Sequence, residues 1–408
     1  MSPTRGAPAT LGTVRSRILP ARHRRLLPVL CGVAGLLAGL LAVPAPAQAQ
    51  VDCAPSGTAQ PPADPWQLRR LHPAGVWPLT RGEGVTVAVI DSGVSPHPPM
   101  LAGRVLEGRD FGVPDHSGQC DEYGHGTVVA SMIAGRPLPG VTLHGMAPAA
   151  TILPVRVLRG DEPGGEDLPD RLAQAIRYAV DNGADIINLS LEALPSSELE
   201  SAVDYAHEHD VLLVAAAGNI DAEGVPQPWY PAAYPGVLAV AGVAADGSHV
   251  SSSQVSDYVD LAAPGADIYG PAPDGETFLA VGEGTSYATA YVSGTAALVR
   301  AYHPDLTAAE VAERLIQTAD RPPEGRNDQI GHGVVNPYRA VATLLGGREN
   351  PSPVAVAPPP LTADPLAFPR RAAAWGALIG AVLAALLLLA PPAVRRGRRR
   401  GWRPTRAS

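Results

Sequence analysis

The 408-residue chain contains no lysine, so all 31 of its basic residues are arginine. It is also poor in aromatic residues, at 5%, and in charged residues, at 17%. So few charges exclude a disordered tail protein of one charge sign. With few aromatics but 43 Gly and 44 Pro, the interior must consist mainly of Ala, Val, Leu and Ile between many sharp turns, which disfavours an all-helical bundle.

Acidic residues are absent from both ends of the chain. All 39 Asp and Glu lie between residues 50 and 369, whereas six arginines precede Ala49 and nine lie from Arg370 onward. A central part this acidic would repel nucleic acid, and basic ends beside apolar runs indicate membrane targeting.

Residues 1–49 have the order of a secretory signal peptide. The six arginines precede an apolar run over 26–43, and the small-residue site Ala47-Gln48-Ala49 follows it. Cleavage there would start the mature chain near Gln50. Because the run is long for a signal peptide, an uncleaved anchor is the alternative, and either one exports the body of the chain.

A second apolar run covers residues 372–390 and contains no charged residue. A helix over this run would be about 28 Å long, close to the thickness of the hydrocarbon core, so the sequence predicts a transmembrane helix. The tail at 391–408 holds seven arginines against the two at 370 and 371, which favours a cytoplasmic tail and an outer body. The Pro-rich segment 348–371 predicts an extended linker.

Between residues 84 and 347, short β-branched runs alternate with amphipathic segments. This alternation predicts an α/β fold with a mostly parallel central sheet covered by helices on both faces, and a site at the carboxyl ends of the strands. The predicted strands are 85–90, 152–158, 185–191, 211–217 and 237–243, and the predicted helices are 126–134, 168–182, 196–209, 286–302 and 307–318.

Three polar residues follow strands or begin helices in this pattern. Taken singly, Asp91 is a turn residue, His125 a structural residue between two glycines, and Ser286 a helix N-cap. Together they are the three side chains of nucleophilic acyl transfer, in which His accepts the serine proton and a carboxylate orients the His. Asn219, directly after a predicted strand, can donate a side-chain amide to the oxyanion, together with the Ser286 backbone N–H.

Four segments, in chain order, resemble the Asp, His, oxyanion Asn and Ser segments of subtilisin-like serine proteases: VAVIDSGV, GHGTVVASMIAG, AAAGN and GTSYATAYVSGTAALV. The resemblance covers roughly residues 75–345. It implies a three-layer α/β/α subtilisin-like fold at 84–347 and serine endopeptidase activity.

The serine segment departs from most of that family at Ala290-Tyr291 and is similar to the mycosins, the membrane-anchored subtilisin-like proteases of actinobacterial type VII secretion. The signal, linker, single C-terminal helix and basic tail match the mycosin layout. The resemblance implies an extracytoplasmic endopeptidase that cleaves secreted proteins and also stabilises the secretion membrane complex. A mainly structural component, or a general cell-surface protease, remains an alternative.

The resemblance also implies a set of substrate-binding residues, namely Ser190, Leu191, Glu192, Ala216, Ala217 and Gly218. Glu192 stands where the family usually has Gly, and the loop at 160–167 is acidic. These charges suggest a preference for basic residues near the cleaved bond, and the alternative is that they are ordinary solvated loop charges.

The stretch from Gln50 to Asp91 is too short for an independently folding prodomain, so residues 50–83 are expected to be an extension packed on the body. Cys31 lies in the signal, which leaves Cys53 and Cys120 as a predicted disulfide, with two free thiols as the alternative. The sequence has no zinc spacing and no complete calcium-ligand spacing, so we expect no metal and no cofactor.

Overall fold

The computed structural model describes residues 53–113, 116–158, 165–220 and 227–345, with a few isolated positions between 375 and 401. The predicted signal at 1–49 and the predicted linker at 348–371 lie outside the described residues. Most of the predicted transmembrane run at 372–390 and much of the tail at 391–408 also lie outside them. Among the residues that are described, no helix is both long and apolar enough to cross a bilayer.

A seven-stranded sheet in the order β2-β3-β1-β4-β5-β6-β7 forms the centre of the molecule, and every neighbouring pair in it is parallel. Two further strands, β8 and β9, form an antiparallel pair. The predicted α/β class and mostly parallel sheet are therefore confirmed. The strands are β1 Thr86–Asp91, β2 Arg109–Asp110, β3 Thr151–Arg156, β4 Ile186–Leu189, β5 Leu212–Ala216, β6 Leu238–Val243, β7 Leu261–Pro264, β8 Ile268–Pro271 and β9 Phe278–Gly282.

Helices cover both faces of the sheet, and the five predicted helices agree with the structure to within a residue at each end. The capping box at the start of the helix after Thr307 is also present, because Thr307 and Glu310 bond each other's backbone N–H. The helices are α1 Trp66–Leu71, α2 His125–Ala134, α3 Leu168–Asp181, α4 Ser197–Glu208, α5 Thr285–Tyr302, α6 Ala308–Thr318 and α7 Pro337–Ala342.

Alternate residues of each central strand enter two different cores. In β1, Val87 and Val89 pack on the side of α2 and α5, whereas Ala88 and Ile90 pack on the side of α3 and α4. Successive side chains of a strand point to opposite faces, so a strand buried on both faces is an unbroken apolar run. This is why the strands were visible in the sequence as short apolar runs without polar alternation.

Helix α5 lies in the interior, and its small residues allow it to approach the neighbouring elements closely. A Cβ atom at Gly294 would lie 2.6 Å from the Cβ atom of Met146, so no larger residue fits there without displacing Met146. Residues on most sides of α5 are buried, including Ala288, Val292 and Ala296. The packing brings the N-terminus of α5 to the carboxyl edge of the sheet.

The segment before β1 is held against the rest of the molecule by side chains. The Trp66 indole N–H donates to the Ala266 carbonyl at 3.2 Å, and the Trp77 indole N–H donates to the Met146 carbonyl at 2.9 Å. Gln67, which is buried, donates to the Ala266 carbonyl at 2.8 Å. These bonds satisfy polar groups that burial would otherwise leave without partners.

Cys53 and Cys120 form the predicted disulfide, with a Cα–Cα distance of 4.6 Å. The bond joins residues 67 positions apart and ties the start of the described chain to the loop that precedes α2. Closing a loop of this length removes conformational entropy from the unfolded chain, which stabilises the fold.

We expect the Cys53→Ser/Cys120→Ser double variant to unfold with a free energy about 4 kcal/mol lower than that of the wild-type protein, because its unfolded chain is no longer cross-linked. Denaturant unfolding of the two proteins measures the difference. Reduction of the wild-type protein should give the same loss, whereas equal stability of reduced and oxidised protein would show that the disulfide contributes nothing.

Candidate active site

The three residues predicted to act together lie at one edge of the sheet. Asp91 is the last residue of β1, His125 is the first residue of α2, and Ser286 is the second residue of α5. The carboxyl ends of parallel strands share an edge, and both helices begin at that edge. His125 and Ser286 line the same cleft.

Asp91 and His125 form a direct hydrogen bond of 2.8 Å between Oδ1 and Nδ1. The Asp91 side chain is fully buried, and the backbone N–H of Ser92 also donates to its Oδ1 atom at 2.7 Å. Burial of the imidazole opposes its charged form, but attraction and hydrogen bonding from Asp91 outweigh it, so the pKa of His125 is raised. The carboxylate thus orients the ring and stabilises it when it accepts a proton.

Gly126 makes this short contact possible. A Cβ atom at this position would lie 2.1 Å from the Gly93 carbonyl oxygen and 3.1 Å from the Cβ atom of Asp91. Only glycine therefore lets the start of α2 approach the end of β1 this closely. This close approach of α2 to β1 explains why the residue after His125 is glycine.

The Ser286 hydroxyl is hydrogen-bonded to the backbone in this structure. Its Oγ atom donates to the Ser190 carbonyl at 3.1 Å, and its own carbonyl accepts from the Ser190 hydroxyl at 2.7 Å. Ser286 and His125 line the same cleft, which is where a hydrogen bond between the hydroxyl and the imidazole would form. Hydrogen bonds of this kind often form only when substrate is bound.

Asn219 lies beside the start of α5, with its side-chain amide held from both ends. Its Oδ1 atom accepts from the backbone N–H of Thr285 at 3.2 Å and from the Thr285 hydroxyl at 3.3 Å. Its Nδ2 atom donates to the Glu192 carboxylate at 2.9 Å. The first two bonds fix the orientation of the amide and direct its N–H groups away from Thr285.

The family model for the subtilase family matches residues 82–333. Mycosin-3 of Mycobacterium tuberculosis is 34% identical to this chain, over 87% of this chain and 89% of the relative. The chain belongs to the subtilase family. It is a subtilisin-like serine endopeptidase, and its resemblance to the mycosins is confirmed.

Solved structures of mycosins match this subtilase with consistent scores. The MycP3 protease from the type VII (ESX-3) secretion system matches with a TM-score of 0.64 at 34% identity, over 72% of this chain and 94% of that chain. A chain in the structure of an intact ESX-5 inner membrane complex matches with a TM-score of 0.63 at 30% identity, over 84% of this chain and 94% of that chain.

The cleft that His125 and Ser286 line has a volume of about 960 Å³. Among the described lining residues, the side chains of Glu166, Asp170 and Glu192 are carboxylates, and none is an arginine. The described lining residues are Tyr123, His125, Leu158, Gly165, Glu166, Leu168, Pro169, Asp170, Ser190, Leu191, Glu192, Ala193, Leu194, Pro195, Ser196, Asn219, Trp229 and Ser286.

The six predicted substrate-binding residues fall into two groups. Ser190, Leu191 and Glu192 line the cleft. The second group, Ala216, Ala217 and Gly218, is not among the lining residues. The two alanines are buried, and the ring of Trp229 packs against Gly218. Of the acidic loop predicted at 160–167, the part up to residue 164 lies outside the described residues, and Glu166 lines the cleft.

A second network, which the sequence analysis did not single out, holds the loop before His125. The buried Asp121 carboxylate accepts from the Ser92 hydroxyl at 2.9 Å, from the Gly124 N–H at 2.7 Å, and from the N–H and hydroxyl of Thr127 at 2.9 and 2.6 Å. Burial raises the pKa of Asp121, and these hydrogen bonds oppose the rise. Asp121 therefore bonds both Ser92, the residue after Asp91, and Gly124, the residue before His125.

Only the sequence position of Asp121, four residues before the His, could have identified it. Among the described residues, no group of three or more His, Cys, Asp or Glu side chains is arranged to hold a metal ion. The Asp91–His125 pair and Ser286 offer acid–base and nucleophilic groups, and Asp121 positions the loop before His125.

We expect Asp121→Asn to lower kcat by about 10- to 100-fold, because an amide has one acceptor oxygen and leaves several buried donors unsatisfied. The free energy of unfolding should fall by about 2 kcal/mol for the same reason. Peptide hydrolysis and denaturant unfolding measure the two effects. The control is Asp64→Asn, whose carboxylate is exposed, and an unchanged kcat in Asp121→Asn would remove its positioning role.

Proposed function

We propose that this subtilase is a membrane-anchored, extracytoplasmic peptidase of a type VII secretion system that cleaves secreted proteins through Asp91, His125 and Ser286. The observation that carries the chemistry is the 2.8 Å bond between Asp91 and His125 in the cleft that Ser286 also lines. Three residue types from three distant parts of the chain meet there at the carboxyl edge of the sheet. No single local motif produces that meeting.

In the proposed reaction, the Ser286 hydroxyl attacks the peptide carbonyl while His125 Nε2 takes its proton. His125 then returns the proton to the leaving amine, and a water molecule hydrolyses the acyl-enzyme by the same steps in reverse. Asp91 holds the imidazole by its Nδ1 atom and stabilises the imidazolium that forms. Asn219 Nδ2 and the Ser286 backbone N–H donate to the oxyanion, which together supply several kcal/mol of stabilisation.

The proposed location follows from the sequence outside the described residues. Segment 1–49 acts as the signal, residues 348–371 as a spacer, 372–390 as the membrane anchor and 391–408 as the cytoplasmic tail. The folded parts, an extension at 50–83 and a peptidase domain at 84–347, then lie outside the cytoplasm. The matched ESX-5 structures support this location, since one of them is of the periplasmic assembly of an inner membrane complex.

A second, structural role is favoured by the same matches. The match covers 94% of a chain in the structure of an intact ESX-5 inner membrane complex. The proposed partners are therefore secretion-complex components as well as protein substrates. A tethered protease and a stabilising subunit are compatible roles for one chain.

The Ser286→Ala variant should lose substrate processing and labelling by a fluorophosphonate probe, because the nucleophile is gone, while secretion continues. Deletion of the gene should abolish both processing and secretion if the chain also stabilises the complex. The measurements are probe labelling of isolated membranes and immunoblots of secreted proteins in the native host. His125→Ala is the matched control and should also fail to label.

Two outcomes of that experiment would contradict the proposal. Processing that continues in Ser286→Ala would remove Ser286 from the chemistry. Normal secretion after deletion would remove the role in the secretion complex and favour a general cell-surface protease.

We expect a chain that ends before residue 372 to be released from membranes, because it has lost the proposed 19-residue apolar anchor. Alkaline extraction of membranes followed by immunoblotting compares it with the full chain, which should resist extraction. Release of the full chain, or retention of the shortened one, would disprove the anchor.

A further inference from the structure

The Glu192 carboxylate is hydrogen-bonded to the side-chain amide of Asn219, the oxyanion donor of the proposed reaction. Its Oε1 atom accepts from the Asn219 side-chain Nδ2 at 2.9 Å and from the Asn219 backbone N–H at 2.6 Å. Its second oxygen, Oε2, accepts no hydrogen bond from the described residues, and the side chain is only partly buried in the cleft. One end of the carboxylate is thus fixed on Asn219, while the other is available to a ligand in the cleft.

This contact has two consequences for an oxyanion that forms near Ser286. One of the two N–H groups of Asn219 Nδ2 donates to the carboxylate, which leaves a single N–H for the oxyanion, and the amide cannot turn freely because Thr285 holds its Oδ1 atom. A charged carboxylate also repels the negative charge of the oxyanion, and the repulsion is strong where water is excluded. Glu192 therefore opposes the reaction as long as it stays charged and bound to Asn219.

A cationic substrate side chain is the group that would relieve both effects. The described part of the cleft lining contains the three carboxylates of Glu166, Asp170 and Glu192, which attract a positive side chain. A guanidinium can bond both oxygens of a carboxylate at once, which draws Oε1 away from Asn219 and neutralises its charge.

We propose, on the basis of the proposed function, that Glu192 is a specificity-determining residue: it holds the oxyanion-binding amide of Asn219, and a basic substrate residue beside the cleaved bond releases it. Neutral substrates bind without releasing Asn219 and are cleaved slowly. Discrimination then arises from the reaction rate, so it is expressed in kcat as well as in KM.

The test compares two peptide anilides that differ only in Arg or citrulline immediately before the anilide, because citrulline has nearly the shape of Arg without its charge. The enzyme is the full chain in detergent-extracted membranes, as wild type, Glu192→Gln and Glu166→Gln. Glu166→Gln is the matched control, since Glu166 lines the same cleft but is not bonded to Asn219. Glu192→Gly is assayed in parallel in case the glutamine variant folds poorly.

The wild-type protein should cleave the Arg peptide at least about 10-fold faster than the citrulline peptide, a fraction of the 10²- to 10³-fold effect of losing an oxyanion donor. Glu192→Gln should raise kcat for the citrulline peptide by about 10-fold and bring the two rates close together. Glu166→Gln should keep most of the wild-type ratio. A citrulline rate that does not rise in either Glu192 variant, or a Glu166→Gln ratio that changes as much, would overturn the proposal.

The pH dependence supplies a readout that a purely structural role would not change. Burial raises the pKa of the Glu192 carboxyl, and the hydrogen bonds from Asn219 oppose the rise. As the pH falls through that pKa, wild-type Glu192 loses its charge, so the advantage of Glu192→Gln on the citrulline peptide should shrink. A constant or growing advantage would contradict competition by charge.

Protonation of groups that the charge of Glu192 does not influence affects both proteins alike and cancels in this ratio. Among the described residues, the titratable side chains that share the cleft with Glu192 are Tyr123, His125, Glu166 and Asp170, and Tyr258 lies near enough to feel its charge.

Fluorophosphonate labelling separates the failure of this inference from the failure of the proposed function. If Ser286 labels in the wild-type protein but the Arg-to-citrulline ratio is the same in all variants, only the role of Glu192 is wrong. If Ser286 does not label in any of these proteins, the assignment of Ser286 is wrong and the inference falls with it.

Discussion

The parallel direction of all seven central strands is the constraint on which the rest of this structure depends. Because every strand ends at the same edge, residues that follow different strands meet there even when they are far apart in sequence. Asp91 ends β1, and Asn219 follows β5 by a few residues. Helix α5 completes the site from the interior, and its small residues let it pass close enough to the sheet to deliver Ser286 to that edge.

Two layers of hydrogen bonds maintain this geometry. In the first, Asp91 holds His125, and Thr285 holds Asn219. In the second, the buried Asp121 fixes the loop that precedes His125, next to the disulfide at Cys120. Such support reduces the motion of each side chain, which is how a site keeps its reacting groups aligned before substrate arrives.

In the same cleft, the carboxylate of Glu192 is hydrogen-bonded to the Asn219 amide. A subtilase that exposes a fully available oxyanion site outside the cell would cleave many proteins, whereas a carboxylate on the Asn219 amide restricts the reaction to substrates that displace it. The proposed tether adds a restriction in space, because it confines the enzyme to substrates near the membrane. Both features suit a protease that acts on few substrates.

The sequence by itself determined the elements and the residue types. Apolar runs and caps gave five helices and the strands β1, β3, β4, β5 and β6, whereas β2, β7, β8 and β9 were not predicted. Asp91, His125, Asn219 and Ser286 were found because each lies in a segment that resembles a subtilisin-like motif. Only the tertiary structure decided which side chains bond each other. The contacts from Glu192 and Thr285 to Asn219, and those of Asp121, join residues far apart along the chain, and their geometry depends on backbone placement to within about 1 Å. Local patterns carry no such information.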